Sequence, residues 1–188
     1  MWSSRDVAYV ILFAVLSVVN LALVVQNFAL LIAIPGIAYM VDILGAIFGS
    51  VAFLLYRGKR WRIFMQGILV ALLTLPLYLG PGFTPGNIIQ RMPTIIKVLL
   101  VDLIFISLYA SFERRKKLYY LTILQSIFFF SVGPFIDMLF YSLYVPFEFL
   151  WPTYYFVLLM LPLIIALAVI GGSIGYKIFE RVDKITAI

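Results

Sequence analysis

Six apolar runs, each about twenty residues long and separated by short polar turns, constrain this chain more than any single motif. They cover roughly residues 7–26, 36–56, 61–80, 93–112, 117–143 and 153–179. About twenty apolar residues in a helix cross the hydrocarbon core of a bilayer. In lipid the backbone must satisfy its own hydrogen bonds, and runs of this length do so as helices. Composition points the same way: 65% of the 188 residues are hydrophobic and 12% charged, where soluble domains have about half and a quarter. The expected fold is all-α, a single domain of six transmembrane helices over residues 1–188, in the cell membrane as a multi-pass protein.

Charge fixes the expected orientation. Arg5, the cluster Arg57, Lys59, Arg60 and Arg62, the block Arg114, Arg115, Lys116 and Lys117, and Lys177, Arg181 and Lys184 all fall on one side of such a bundle. Only Arg91 and Lys97 remain among the 14 cations. Cytoplasmic loops are enriched in Lys and Arg, so both termini are expected in the cytoplasm. The net charge of +6 then follows from topology and from contact with anionic lipid. No aromatic-interleaved basic patch of the kind that stacks bases is present, so no nucleic-acid partner is expected. The first run, preceded by Arg5 and lacking a small-residue cleavage site, reads as a span rather than a removed signal peptide.

The chain contains neither Cys nor His. Thiol nucleophiles, thiolate metal sites and the usual general base are thereby excluded. Walker, G-x-S-x-G and H-E-x-x-H patterns are missing as well. No catalytic residue, metal or cofactor is expected.

The fourth run carries Lys97 and Asp102 inside it. A charge at the centre of a spanning helix costs about 2.5–3.5 kcal/mol on insertion scales, so each needs a partner, a wet cavity or a function. Five residues apart, they lie about 140° around the helix from each other and look to different neighbours. Asp42 matches Lys97 in depth, while Asp102 lies near the midplane with no evident partner. Asn20 and Asp137 fall in the outer half with Asp42 and Lys97. The alternatives are a structural Lys97–Asp42 pair, Lys97 snorkelling to the surface, or a solute pocket using one or more of these groups.

The remaining motifs carry paired alternatives too. Pro134, one turn before Asp137, is a packing kink or an interrupted helix lining a site. Gly45-x-x-x-Gly49 and Gly171-x-x-x-Gly175 let helix backbones approach, within the bundle or against a membrane partner. Trp151 and Tyr154 form part of an interfacial aromatic belt or stack on a flat ligand. Residues 27–36, apolar between the first two runs, suit an interfacial or re-entrant segment. Residues 81–92 are rich in turn formers.

Three stretches carry a family resemblance. Residues 36–56, GIAYMVDILGAIFGSVAFLLY, lead into the basic turn RGKRW; IIKVLLVDLIFISLY forms the fourth run; and GGSIGYKIFERV closes the last one. With the six-span pattern, these resemble the substrate-binding S components of energy-coupling factor vitamin transporters. The resemblance implies a high-affinity site open to the outer face and capped by the first outer loop, here residues 27–36. It implies a vitamin or vitamin precursor as ligand, with thiamine or its pyrimidine moiety the nearest type. It further implies a membrane coupling subunit and a pair of cytoplasmic ATPases as partners.

The expected ligand-binding set is Asn20, Asp42, Lys97, Asp102, Asp137, Trp151 and Tyr154. The three carboxylates would receive donors, Lys97 and Asn20 would donate or bridge, and the two aromatics would stack. Ala8, Ala14 and Ser17 on the first span, with Gly45 and Gly49, form the expected partner-docking set. The competing reading is a structural or assembly subunit of a larger membrane complex, whose polar residues pair internally or with a partner and leave no outward cavity. A membrane enzyme acting on lipid through carboxylates is a more distant third.

Overall fold

The computed structural model describes residues 2–32, 34, 37–75 and 91–186, excluding the side chains of the last two. Every regular element among them is helical. Helix α1 (Ser4–Ile32) runs continuously through a π-helical turn at Leu21–Val25. A short helix α2 (Ala38–Val41) is followed by α3 (Ile43–Leu55) and α4 (Arg62–Thr74). Three long helices complete the chain: α5 (Met92–Arg114), α6 (Leu118–Tyr141) and α7 (Phe147–Thr186). Helices α1, α5, α6 and α7 are long and apolar enough to cross a membrane; α3 and α4 are apolar but shorter. At 13 residues each, they rise about 20 Å.

The apolar runs therefore become helices with altered bounds. The first extends beyond its expected end at residue 26 because Gln26–Ile32 continues the helix rather than forming a separate outer segment. The second is broken at Asp42, whose backbone (φ −84°, ψ 39°) leaves helical geometry between α2 and α3. Residues 33, 35, 36 and 76–90, which include most of the turn-rich 81–92 stretch and the end of the third run, lie outside the described residues.

Packing closes a ring. Helix α1 contacts α3 and α4, α4 contacts α5, α5 contacts α6, and α6 returns to α3. Helix α7 lies outside this ring, seated on α3 and α6. Its approach to α3 uses missing side chains: a Cβ added at Gly171 would lie 2.5 Å from Ala46 Cβ, and one at Gly175 would lie 2.7 Å from Ser50 Cβ. The second glycine pair thus packs inside the molecule, the first of its two alternatives.

An apolar core around Phe53, Leu54, Val101, Phe105, Tyr109 and Leu121 fills the end of the bundle that carries the basic turns. A second cluster, around Ala46, Phe130, Met138, Val157 and Ile164, joins α7 to α3 and α6. Outward-facing Ile11, Leu12, Leu23, Leu103, Leu124, Leu159 and Ile170 are exposed along the long helices. That arrangement gives an apolar exterior, as lipid contact demands.

At the basic end, Asp6 and Asp183 each collect cations. Ser3 and Asp6 form a reciprocal capping box at the start of α1, and Asp6 also receives Lys59 at 2.9 Å and Arg62 at 3.2 Å. The Arg62 guanidinium lies 4.4 Å from the centre of the Trp2 ring. Arg57 pairs with Asp183 of α7. The tight α3–α4 turn places Arg57, Gly58 and Trp61 at positive φ. At Gly58 a side chain would also meet the Tyr109 ring at 2.8 Å, so glycine is needed there twice over.

A cavity inside the five-helix ring

The ring of α1, α3, α4, α5 and α6 encloses a cavity of about 210 Å³. Its polar lining comes chiefly from Asn20, Asp42, Gln66, Lys97 and Gln125, and its flat walls from Phe129 and Phe130. Gly49 also faces it: a Cβ there would have no atom within 4 Å. Each polar group arrives by a different local device.

Asn20 ends the α-helical part of α1, immediately before the π-turn. Such turns are often found at functional sites, because the extra residue locally widens the helix and re-aims side chains. Asn20 donates from Nδ2 to Asp42 Oδ1 at 2.6 Å. Since a carboxylate only accepts, this bond fixes the amide orientation and leaves Asn20 Oδ1 facing inward chemistry without a hydrogen-bond partner.

Asp42 occupies the break between α2 and α3 and caps α3, its Oδ1 also accepting from Gly45 N–H at 3.1 Å. A carboxylate at a helix N-terminus is favoured by both the orphan N–H groups and the helix dipole. Gly45 allows the carboxylate to fold back, because a Cβ there would lie 2.3 Å from Asp42 Oδ1. Both bonds fall on Oδ1, and Asp42 Oδ2 receives none.

Lys97 does not pair with Asp42. Its ammonium lies 2.9 Å from Asp137 on α6, which also accepts from the Tyr39 hydroxyl at 3.1 Å. Adjacency of α5 and α6 brings the two charges together, and Asp42 is already engaged by its own helix. Gly133 clears the path of the lysine stem: a Cβ there would come within 3.0 Å of Lys97 Cδ. The Lys97 ammonium sits 5.6 Å from the centre of the Phe129 ring. A neutral, closely bonded pair thus forms one wall, tied through Tyr39 to the short helix α2.

Asp102 is elsewhere. Its two oxygens accept from the backbone N–H groups of Trp61 (3.0 Å) and Phe64 (3.1 Å), and it is 3% exposed. The N-cap of helix α4 is Trp61, which offers no capping side chain of its own, so Asp102 caps it from a neighbouring helix. The partner that the sequence did not reveal lies 38–41 positions away in backbone atoms. Asp102 is not among the residues that line the cavity.

Trp151 and Tyr154 also stand apart from the lining. On α7 their rings stack at 6.5 Å and 9°, and Phe147 and Phe135 flank Tyr154. The expected docking residues do not share one exposed face. Ala8 is exposed, Ala14 is fully buried, and Ser17, Gly45 and Gly49 line the cavity. Helix α1 packs on α3 and α4.

Sequence reading missed Gln125 and Gln66. Gln125, on α6, is 6% exposed, and its Oε1 has no hydrogen-bond partner. Gln66 Oε1 accepts from the Tyr56 hydroxyl at 2.8 Å. The sequence signal for each is an amide in an otherwise apolar helix.

No protein-family model, curated protein or solved structure matches this chain.

Proposed function

We propose that the protein is a membrane-embedded capture subunit for a small organic solute, of the kind the S components of energy-coupling factor transporters represent. In this reading α3 and α4 complete a bundle of six spans with both termini in the cytoplasm, multi-pass in the cell membrane. The solute enters from the outer side and occupies the five-helix cavity. Coupling and ATPase subunits, which the chain itself does not supply, drive uptake. A vitamin or vitamin precursor is the ligand class that the sequence resemblance favours.

One observation carries the proposal: the cavity is walled by buried amides whose carbonyl oxygens have no partner, at Asn20 and Gln125. An unpaired buried polar group costs about 1–3 kcal/mol. Binding sites retain such groups because a ligand completes them. A broken helix meeting a cavity, as at Asp42, is a further feature of transport sites. An assembly subunit accounts for Asp102 and for the Lys97–Asp137 pair, but not for unpaired amides around open space.

The test is native mass spectrometry of the purified protein beside its Gly49→Leu variant. Leucine at a position whose Cβ meets nothing within 4 Å fills the cavity while leaving the helix intact. The expected result is a small molecule retained by the parent and lost from the variant. Retention of the same molecule by a folded Gly49→Leu protein would sink the proposal.

A further inference from the structure

We propose that the seam between α6 and α7, at the basic end of the bundle, holds the phosphate headgroup of an anionic phospholipid. The seam lies on the outside of the bundle, away from the cavity lining, and is independent of the capture reading.

The cations at that end fall into two groups. Lys59 and Arg62 are spent on Asp6, and Arg57 on Asp183. Arg5 donates to the Tyr9 hydroxyl and Arg114 to the Ala110 carbonyl. These fasten the chain to itself. Arg115, Lys116 and Lys117 in the α5–α6 turn, with Lys177 and Lys184 on α7, are different. All five are exposed, and their side chains make no hydrogen bond, ion pair or ring contact among the described residues.

Packing brings the turn and α7 together. Lys117 immediately precedes α6, and two residues on, the Tyr119 hydroxyl lies 3.1 Å from Ser173 Oγ of α7. The Tyr119 ring also meets the Tyr176 ring at 5.3 Å. Lys177 follows Tyr176 and stands one helical turn beyond Ser173. Tyr120 packs on Tyr119 and is 60% exposed, its hydroxyl unbonded within the protein. Ammonium groups and a free hydroxyl are the donors that a phosphate takes.

Nearby acids do not cancel the charge. Residues 113–117 carry four cations against one acid, and residues 177–184 three against two, a net charge of +4. Asp183, one of those acids, already holds Arg57.

What adjoins the charge decides the kind of anion. Ile170, Ile174 and Ile178 form an exposed apolar stripe on α7 that reaches Lys177, and Leu124 is exposed one turn from Tyr120 on α6. A soluble anion leaves that stripe bare. A phospholipid lays its acyl chains there while its phosphate meets the lysines. Helix α7 has 40 residues and rises about 60 Å, against a hydrocarbon core of about 30 Å. Its cationic last turns therefore pass through the headgroup layer, where basic clusters beside a span attract anionic lipid.

The test is a titration of the purified full chain in detergent, with lipid adducts counted by native mass spectrometry. The probes are dioleoyl phosphatidylglycerol, dioleoyl phosphatidylcholine and inorganic phosphate. The expected outcome is one tightly held phosphatidylglycerol, bound about tenfold or more tighter than phosphatidylcholine and not displaced by equimolar phosphate. Lys117→Gln with Lys177→Gln should weaken it about tenfold or more. Neither lysine has an internal partner, so an unchanged melting temperature is expected beside that loss. Arg5→Gln with Arg60→Gln removes the same charge away from the seam and should change affinity less than about twofold. Equal retention of the two lipids, displacement by phosphate, or equal loss in both double variants overturns the site.

Discussion

Two parts of the molecule handle buried polarity in opposite ways. At the start of α4, Asp102 spends both oxygens on Trp61 and Phe64 N–H groups, while Asp6 collects Lys59 and Arg62 nearby. Around the cavity, Asn20, Asp42 and Gln125 each keep an acceptor without a partner. The same residue types thus serve as framework in one place and as unfinished chemistry in the other. Satisfaction of lone pairs, rather than burial or charge, separates the two. Lys97 belongs to the first kind although it lies in the second region: its ammonium is tied to Asp137.

The sharpest way to break that contrast is Lys97→Met. Removing one member of a buried ion pair costs about 3–5 kcal/mol, because the other charge is left unpaired. Thermal denaturation in detergent should show this loss, and adding Asp137→Leu should recover most of it. Next in size is Asp102→Ala, which strips two buried backbone N–H groups of their acceptor. A loss of about 2–3 kcal/mol is expected, with solute affinity unchanged in the protein that remains folded. A fall in affinity without a fall in stability would move Asp102 into the site.

The cavity residues should respond with the opposite sign. Gly49→Ala adds a methyl group in open space and replaces glycine within α3, so a gain of about 0.5–1 kcal/mol is expected, with binding of the largest ligands lost first. Gln125→Leu removes an unpaired amide and should leave stability unchanged or raised by up to about 1 kcal/mol, measured by the same denaturation. The smallest effect belongs to Arg57→Ala. Its pair with Asp183 is 55% and 43% exposed, so less than about 1 kcal/mol is at stake, and added salt should erase it.

The helical architecture was legible from apolar run length, and the broken second run from nothing the sequence displays. Asp42 stands out in the sequence as a polar group inside an apolar run, but its engagement with Asn20 and Gly45 depends on a helix interruption that hydropathy does not register. Depth alone matches Lys97 with Asp42; which neighbour it reaches depends on ring order, and α5 packs on α6. Asp102 has no evident partner in the sequence because its partners are main-chain N–H groups. Gln125 does not stand out in the sequence, since a neutral amide scarcely dents the apolar character of a span. Sequence position groups Trp151 and Tyr154 with the pocket, and the placement of α7 outside the ring separates them from it.

The π-turn at Leu21–Val25 has a mechanical consequence. It holds one residue more than the α-helical spacing on either side, and Asn20 marks its lower edge. Tightening that turn to α spacing would rotate Gln26–Ile32 by about 100° about the helix axis, with the part below Asn20 held in place by α3 and α4. Helix α1 is therefore jointed without being broken: a crank whose handle is the far segment and whose bearing is the residue that holds Asp42.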